Sequence, residues 1–360
     1  MVRHYHIITC DNEKVLNKFV STRAVGIRPV LMKRIRDRMK RIRNSVRMNW
    51  DILADLARVK KGDYILLHAK GIIQGVFEVK EEPRLERRYT PLFNGPSINV
   101  TNWQSNWQTI QNILQQKRCI WWIPIEPVED LFFNKMSMDI IFESIASGRI
   151  VSLPQRLRYE DKNKTIKGLT NADFEEIVGC FYNYSSPLPV PAQLKTFSMQ
   201  NFSSLDLNYL TQDRYEKNLE ALIVHRIRVG NMCIKDLDFF HSNVLNTVPL
   251  GYLKMADLLT WSERGNKVVN PWIWELKRDK IKENELKEEI KKLSARASYL
   301  QKLLPNGYKV NGIVLAYKFE EDAIDMFNHI ITPIGPLKEV MLVNYDGVGG
   351  DTSFSLVARR

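Results

Sequence analysis

Three residues of the C-terminal half have types and spacing that could do chemistry: Asp257, Glu275 and Lys277. Side chains alternate across a strand, so in a strand over 267–277 Glu275 and Lys277 share one face while Trp274 and Leu276 take the other. A strand over 251–261 precedes it, across the turn-like Ser262-Glu263-Arg264-Gly265-Asn266. Pairing of the two as a hairpin brings Asp257 beside Glu275. Two carboxylates and an ammonium then surround one point. Such carboxylates suit a hard cation, magnesium or manganese in its place, held through one or two of them with several waters kept. A metal there activates water and stabilises charge on a phosphate, and Lys277 orients the nucleophile or shares the developing charge. This is a recipe for phosphodiester hydrolysis. The bland reading is a strand with a surface ion pair. The apolar company of Val268, Val269 and Ile273 weighs against it, because unpaired charges in such a setting are expensive.

Charge points to the class of partner. The chain has 360 residues, with 53 Lys and Arg against 41 Asp and Glu, for a formal net charge of +12. Between positions 23 and 47 stand Arg23, Arg28, Lys33, Arg34, Arg36, Arg38, Lys40, Arg41, Arg43 and Arg47 against one acid, Asp37. A solvated helix usually mixes signs, because like charges at i and i+4 repel. Here Arg34, Arg38 and Arg41 fall on one helical face, a stripe suited to neutralising phosphates and releasing their counterions. Contacts of that kind carry no sequence information.

Composition excludes several classes. Hydrophobic residues at 44% and charged residues at 26% are globular values, not those of a disordered or fibrous chain. Apolar runs are strand-sized, as at 121–125, well short of the roughly 18 residues that cross a bilayer. The N-terminus lacks the apolar middle of a signal peptide. Cys10, Cys119, Cys180 and Cys233 lie far apart and read as small buried hydrophobes in a reducing compartment. The expected location is cytoplasmic, with no membrane partner. No Gly-x-x-x-x-Gly-Lys-Ser/Thr loop is present, and the six histidines form no metal-binding spacing.

The elements that must position these residues fall into two domains. Pro187, Pro189 and Pro191, set among nearly uncharged neighbours, mark 183–212 as a linker between a domain over 1–182 and one over 213–360. Before it, strands are expected at 4–9, 63–68, 74–79 and 119–125, with helices at 30–43 and 171–180, the latter capped by Thr170. This pattern suggests a β-barrel-like α+β domain. After it comes a helix at 214–228 with Leu219, Leu222, Ile223 and Ile227 on its apolar stripe. The hairpin follows, then a helix at 283–304, a strand at 310–319, a helix at 321–331, and strands at 339–345 and 353–358. The order is α-β-β-α-β-α-β-β, a mixed sheet flanked by helices.

Asp257, then Trp274-Glu275-Leu276-Lys277, with the acidic Tyr215-Glu216-Lys217-Asn218-Leu219-Glu220 upstream, resembles the PD-(D/E)XK nuclease superfamily and within it the NucS-like and RecB-like branches. The resemblance implies that Asp257 and Glu275 bind magnesium and that Lys277 assists the water. It adds an upstream carboxylate, Glu216, with Glu220 one turn further on as the second candidate. Ala256 stands where the signature has Pro, and Pro271 interrupts the second strand, which implies a bulge or an edge there. Glu288 and Glu289 occupy the region where some members carry Gln.

The N-terminal half has its own resemblance. Val59-Lys60-Lys61-Gly62-Asp63-Tyr64-Ile65-Leu66-Leu67-His68, Ile73-Gln74-Gly75-Val76-Phe77-Glu78-Val79 and Trp121-Trp122-Ile123-Pro124-Ile125 look like the PUA-like group that contains EVE and YTH domains. That group reads modified bases, holding a flipped base in an aromatic cage. Trp50, Trp121, Trp103 and Trp107 are the expected stacking rings.

The combined expectation is an α+β PUA-like barrel followed by an α/β PD-(D/E)XK nuclease domain. It is read as a magnesium-dependent endonuclease acting on double-stranded DNA, directed by a modified base, and a homodimer on the geometry of double-strand cutting. A repair nuclease on mismatched or branched DNA and a non-catalytic DNA- or RNA-binding protein are the alternatives.

Overall fold

The computed structural model describes residues 3–10, 13–27, 52–86, 121–128, 134–147, 149–150, 166–187, 202–204, 216–250, 255–264, 267–304, 309–329 and 335–360. The helix expected over 30–43, with Arg34, Arg38 and Arg41, lies outside them, as do Trp50, Trp103, Trp107 and Cys119. The chain divides into two compact units, Arg3–Asp206 and Leu207–Arg360. Among the described residues no helix is long and apolar enough to cross a membrane.

The first unit is mixed α+β. Its strands are β1 (Tyr5–Thr9), β2 (Ala24–Ile27), β3 (Tyr64–Ala69), β4 (Ile72–Val79), β5 (Arg84–Glu86), β6 (Trp121–Pro127), β7 (Asn134–Ser137), β8 (Ile166–Leu169), β9 (Ser186–Pro187) and β10 (Phe202–Ser204). Its helices are α1 (Glu13–Thr22), α2 (Leu53–Arg58), α3 (Met138–Ala146) and α4 (Asn171–Tyr184). They build one sheet in the order β10-β5-β6-β4-β3-β1-β8, in which β1 and β3 are parallel. The β3–β4 hairpin closes on Lys70 and Gly71, with φ of 47° and 80°. Two positive φ angles in a two-residue loop match the right-handed twist of the flanking strands. β4 gives Ile72–Gln74 to β7 and Phe77–Val79 to β6, while β6 also pairs with β2 and β5. A strand that changes partner along its length belongs to a strongly coiled sheet.

Two sequence expectations are settled locally here. Thr170 caps α4, its Oγ1 accepting the Asp173 N–H at 3.2 Å. The segment read as a linker instead lends β9 and β10 to the first unit, pairing with β7 and β5. Proline punctuation marks an edge strand as readily as a boundary, because an edge position has no ladder bond to lose.

Asp63 pins the parallel pair to the turn before β3. Its carboxylate accepts the His4 N–H at 2.9 Å and the Lys60 N–H at 2.8 Å, and lies 3.0 Å from His6 Nε2. All four residues are buried. Asp63→Ala strands these donors away from water and is expected to destabilise the first unit by about 2 kcal/mol. Urea denaturation measures this, and a loss below about 0.5 kcal/mol would show that the pin carries nothing.

The second unit carries α5 (Glu216–Arg228), β11 (Asn243–Pro249), β12 (Met255–Arg264), β13 (Lys267–Ile281), α6 (Glu283–Leu303), β14 (Val310–Phe319), α7 (Glu321–His329), β15 (Leu337–Asp346) and β16 (Ser353–Arg359). They form a six-stranded mixed sheet in the order β11-β12-β13-β14-β15-β16. β13, β14 and β15 run parallel, with α6 and α7 as the crossovers. Leu286, Ile290, Leu293 and Ala297 of α6 share one core with Ile273, Val314 and Leu342 of the sheet. The α5 stripe of Leu219, Leu222, Ile223 and Ile227 is buried as its spacing implies. β11 is an added strand, and β13 runs four residues further than expected, to Ile281. Pro271 does mark a bulge: the β12–β13 register shifts between Thr260 and Ser262, and Asn270 takes φ of 49°.

Candidate active site

Asp257, near the start of β12, is placed by the hairpin. The last paired step toward the site is Leu258 with Trp274, so one step further the antiparallel register faces Asp257 with Glu275. There the Asp257 side chain takes over from the ladder. Its Oδ2 accepts the Leu276 backbone N–H at 2.8 Å, which fixes the carboxylate on β13 between Glu275 and Lys277.

α5 brings two further carboxylates. Burial pushes the Asp257 carboxyl above its usual range, and Glu220 adds to this, while the Leu276 N–H, Lys217 and Lys277 oppose it. Glu216 is also pushed up, first by burial and then by the charge of Asp257, against Lys277 and Lys217. Glu220 is buried and satisfied. Its Oε2 accepts from Lys217 Nζ at 2.5 Å, and its Oε1 from Asn246 Nδ2 at 3.0 Å and Thr247 Oγ1 at 3.2 Å. Like charges thus crowd where α5, β12 and β13 meet.

Glu275 has a different neighbour. It is 3% exposed and ion-paired with Arg296 of α6, itself 7% exposed. Lys277, on the same face of β13, holds its Nζ 3.4 Å from Glu289 Oε1, which Lys292 Nζ also approaches at 2.7 Å. The described structure therefore gathers Asp257, Glu216, Glu220 and Lys277 into one electrostatic neighbourhood and turns Glu275 toward a guanidinium. Asn246 and Arg296 were not foreseen from the sequence, and Glu289 was named there only as standing where some family members carry Gln. The available signal was that Glu289 and Arg296, seven residues apart, fall inside the apolar stripe of Leu286, Ile290, Leu293 and Ala297.

Among the described residues no group of three or more His, Cys, Asp or Glu side chains stands close enough to share a metal ion. Two carboxylates near enough for the charge of one to raise the other are nonetheless the donor set that a hydrated magnesium ion takes. Asp257 and Glu216 fit that description. Glu275 fits it only on parting from Arg296.

In the first unit, Trp121 is 3% exposed in the core, while Trp122, on the opposite face of β6, is half-buried. Of this pair Trp122 is the ring with surface to offer. Tyr5 stacks on Phe174 at 4.3 Å between ring centroids, Tyr64 leans on both, and Arg3 lies 4.3 Å over the Tyr64 ring.

The class that these elements define is a two-unit α+β chain, with carboxylates and ammonium groups gathered about the β12–β13 hairpin of the second unit. No family model matches the chain, and no curated protein matches it. Among solved structures, a match is found to human THYN1 protein in complex with 5-methylcytosine containing DNA. It is 9% identical, covers 49% of this chain and 97% of that one, and has a TM-score of 0.26.

Proposed function

We propose that the chain is a metal-dependent DNA endonuclease, directed to its site by a PUA-like reader of modified bases in the first unit. The observation that carries the nuclease reading is the crowding of Asp257 with Glu216 and Glu220 opposite Lys277. Asp257, held by the Leu276 N–H, and Glu216 would hold magnesium, or manganese in its place. Bound there, the ion would supply an activated water and charge neutralisation at the scissile phosphate. Lys277 would orient that water or share the developing charge. The reader reading is supported by the first unit's strand motifs and coiled sheet, and by the basic run at 23–47. A flipped base would stack on aromatic rings, for which Trp50, Trp103 and Trp107 are the sequence candidates and Trp122 replaces Trp121. Cutting both strands with one site per chain calls for a homodimer.

The test is nicking of supercoiled plasmid by the full chain, with magnesium and with EDTA, on matched methylated, hydroxymethylated and plain DNA. Magnesium-dependent cutting that prefers one modification supports the proposal. Cutting without preference moves the function to a repair nuclease. Binding without cutting under any metal makes it a DNA-binding protein, a second reading that the Glu275–Arg296 pair favours, because a paired carboxylate is not free to ligate.

Arg34, Arg38 and Arg41 provide an independent check on binding. Changing all three to Ala is expected to reduce the log–log salt slope of DNA binding by about 2 to 3, at ~0.9 per phosphate. The loss should be equal for every DNA sequence. An unchanged slope returns these arginines to solvated surface.

A further inference from the structure

Two charges of β13 have a partner of opposite sign on α6. Lys277 has Glu289 at 3.4 Å, and Glu275 has Arg296. The second pair sits where the proposed metal chemistry would need a free carboxylate. We infer that Arg296 occupies the Glu275 carboxylate in competition with a divalent cation, so that α6 itself closes this arm of the metal site until the guanidinium moves away. The inference rests on the metal reading proposed above.

Three observations carry it. Glu275 and Arg296 are 3% and 7% exposed, so bulk water screens neither partner and the guanidinium stands where a cation would. Asp257, the carboxylate next along the register, also acts on Arg296, favouring its charged form against burial. The guanidinium thus answers both residues of the motif, as a bound cation would. The arrangement is also incompletely satisfied. Glu275 Oε1 and Arg296 Nη1 and Nε, together with Glu289 Oε2 beside them, are buried without a well-formed hydrogen bond. A buried ion pair is a durable structural element only where its remaining donors and acceptors are met. Here they are not, on either residue that α6 sends toward β13. A pair kept purely for stability has no reason to leave its own groups open, whereas one that must exchange for a hydrated cation does.

The consequence is measurable on the full chain without DNA. Removal of Arg296 frees Glu275, so apparent affinity for Mn²⁺ rises by the inverse of the fraction of chains in which the pair is open. Isothermal titration of Mn²⁺ into Arg296→Met is expected to give binding tighter than the unaltered chain by at least roughly ten-fold. The melting temperature in EDTA should fall, because a buried carboxylate is left alone, and the rise on adding Mn²⁺ should exceed that of the unaltered chain. If Arg296→Met fails to fold even with metal, Arg296→Gln, which removes the charge but keeps a hydrogen-bonding donor toward Glu275, carries the same comparison with the same direction. Binding by the unaltered chain that neither variant improves overturns the inference and leaves the metal reading standing. Absence of Mn²⁺ binding in every form overturns both.

Discussion

Asp257→Asn is expected to remove magnesium-dependent DNA cleavage while leaving the second unit folded and no less stable than before. The two halves of that result have separate causes. An Asn carbonyl oxygen can still accept the Leu276 N–H that Asp257 Oδ2 accepts at 2.8 Å, so the β12–β13 junction keeps its bond. The lost charge is one that burial and Glu220 already oppose, so its removal relieves repulsion. Cleavage depends on that same charge. Loss of a metal-holding carboxylate is expected to lower the rate by on the order of 10³-fold or more, about 4 kcal/mol of barrier. Raised stability with lost cleavage identifies a residue kept for chemistry at the expense of stability, and unchanged stability with lost cleavage one kept for chemistry alone. Unchanged cleavage in Asp257→Asn would sink the nuclease assignment.

Asp257 is a cleaner probe than Glu275. Glu275→Gln leaves Arg296 buried without its counter-charge, and breaking such a pair costs about 3 to 5 kcal/mol. An inactive Glu275→Gln could therefore be an unfolded protein. Glu216→Gln and Lys277→Ala are free of that problem, since the Lys277 side chain is 31% exposed and its contact with Glu289 is long at 3.4 Å.

What was legible in the sequence follows from how local each signal is. The strands containing Ile7, Leu66, Phe77, Ile273 and Val314 announce themselves through runs of branched and aromatic residues. β11 is silent because Asn243, Asn246 and Pro249 are poor strand formers, and Thr247 takes φ of 50°. α3 was missed because Met138-Asp139-Ile140-Ile141-Phe142 is a short apolar run that periodicity cannot assign to helix or strand. At the site, the two-residue period of a strand places Glu275 and Lys277 on one face, and their α6 partners lie on that face in the structure. The pairing of Glu275 with Arg296, 21 positions on, was not legible, because it exists only once α6 has folded back across β13. Local pattern specified which side chains face together, and the crossover chose their partners.

Acid sensitivity of the second unit should trace largely to one residue, His241. Its ring packs against Trp272 at 4.6 Å between centroids and against Phe239 and Phe240, and its Nδ1 lies 2.8 Å from Thr260 Oγ1, which also accepts the Trp274 Nε1–H at 2.9 Å. Burial lowers its pKa from the ordinary 6.5 to about 3. The neutral ring is therefore the form that fits. A histidine held down in this way contributes stability that is complete above the unfolded value of 6.5 and is lost as pH falls toward 3, because the unfolded chain takes up a proton that the folded chain refuses. By pH 4 the loss amounts to about 3 kcal/mol, at 1.36 kcal/mol for each unit separating the two states. His241→Asn lacks the titrating ring. Its stability at pH 7 is expected to be lower, from lost packing against Trp272, but it should fall less between pH 7 and pH 4 by about 3 kcal/mol. His68 in the first unit, lowered to about 4 by burial and then by Lys167, titrates with the same sign. It is present in both proteins and cancels in the comparison. Urea denaturation of the two proteins across that pH range gives the difference directly. Parallel acid limbs in the two proteins would mean that the His241 ring reaches water and that its place among Trp272, Trp274 and Thr260 does not exclude a charge.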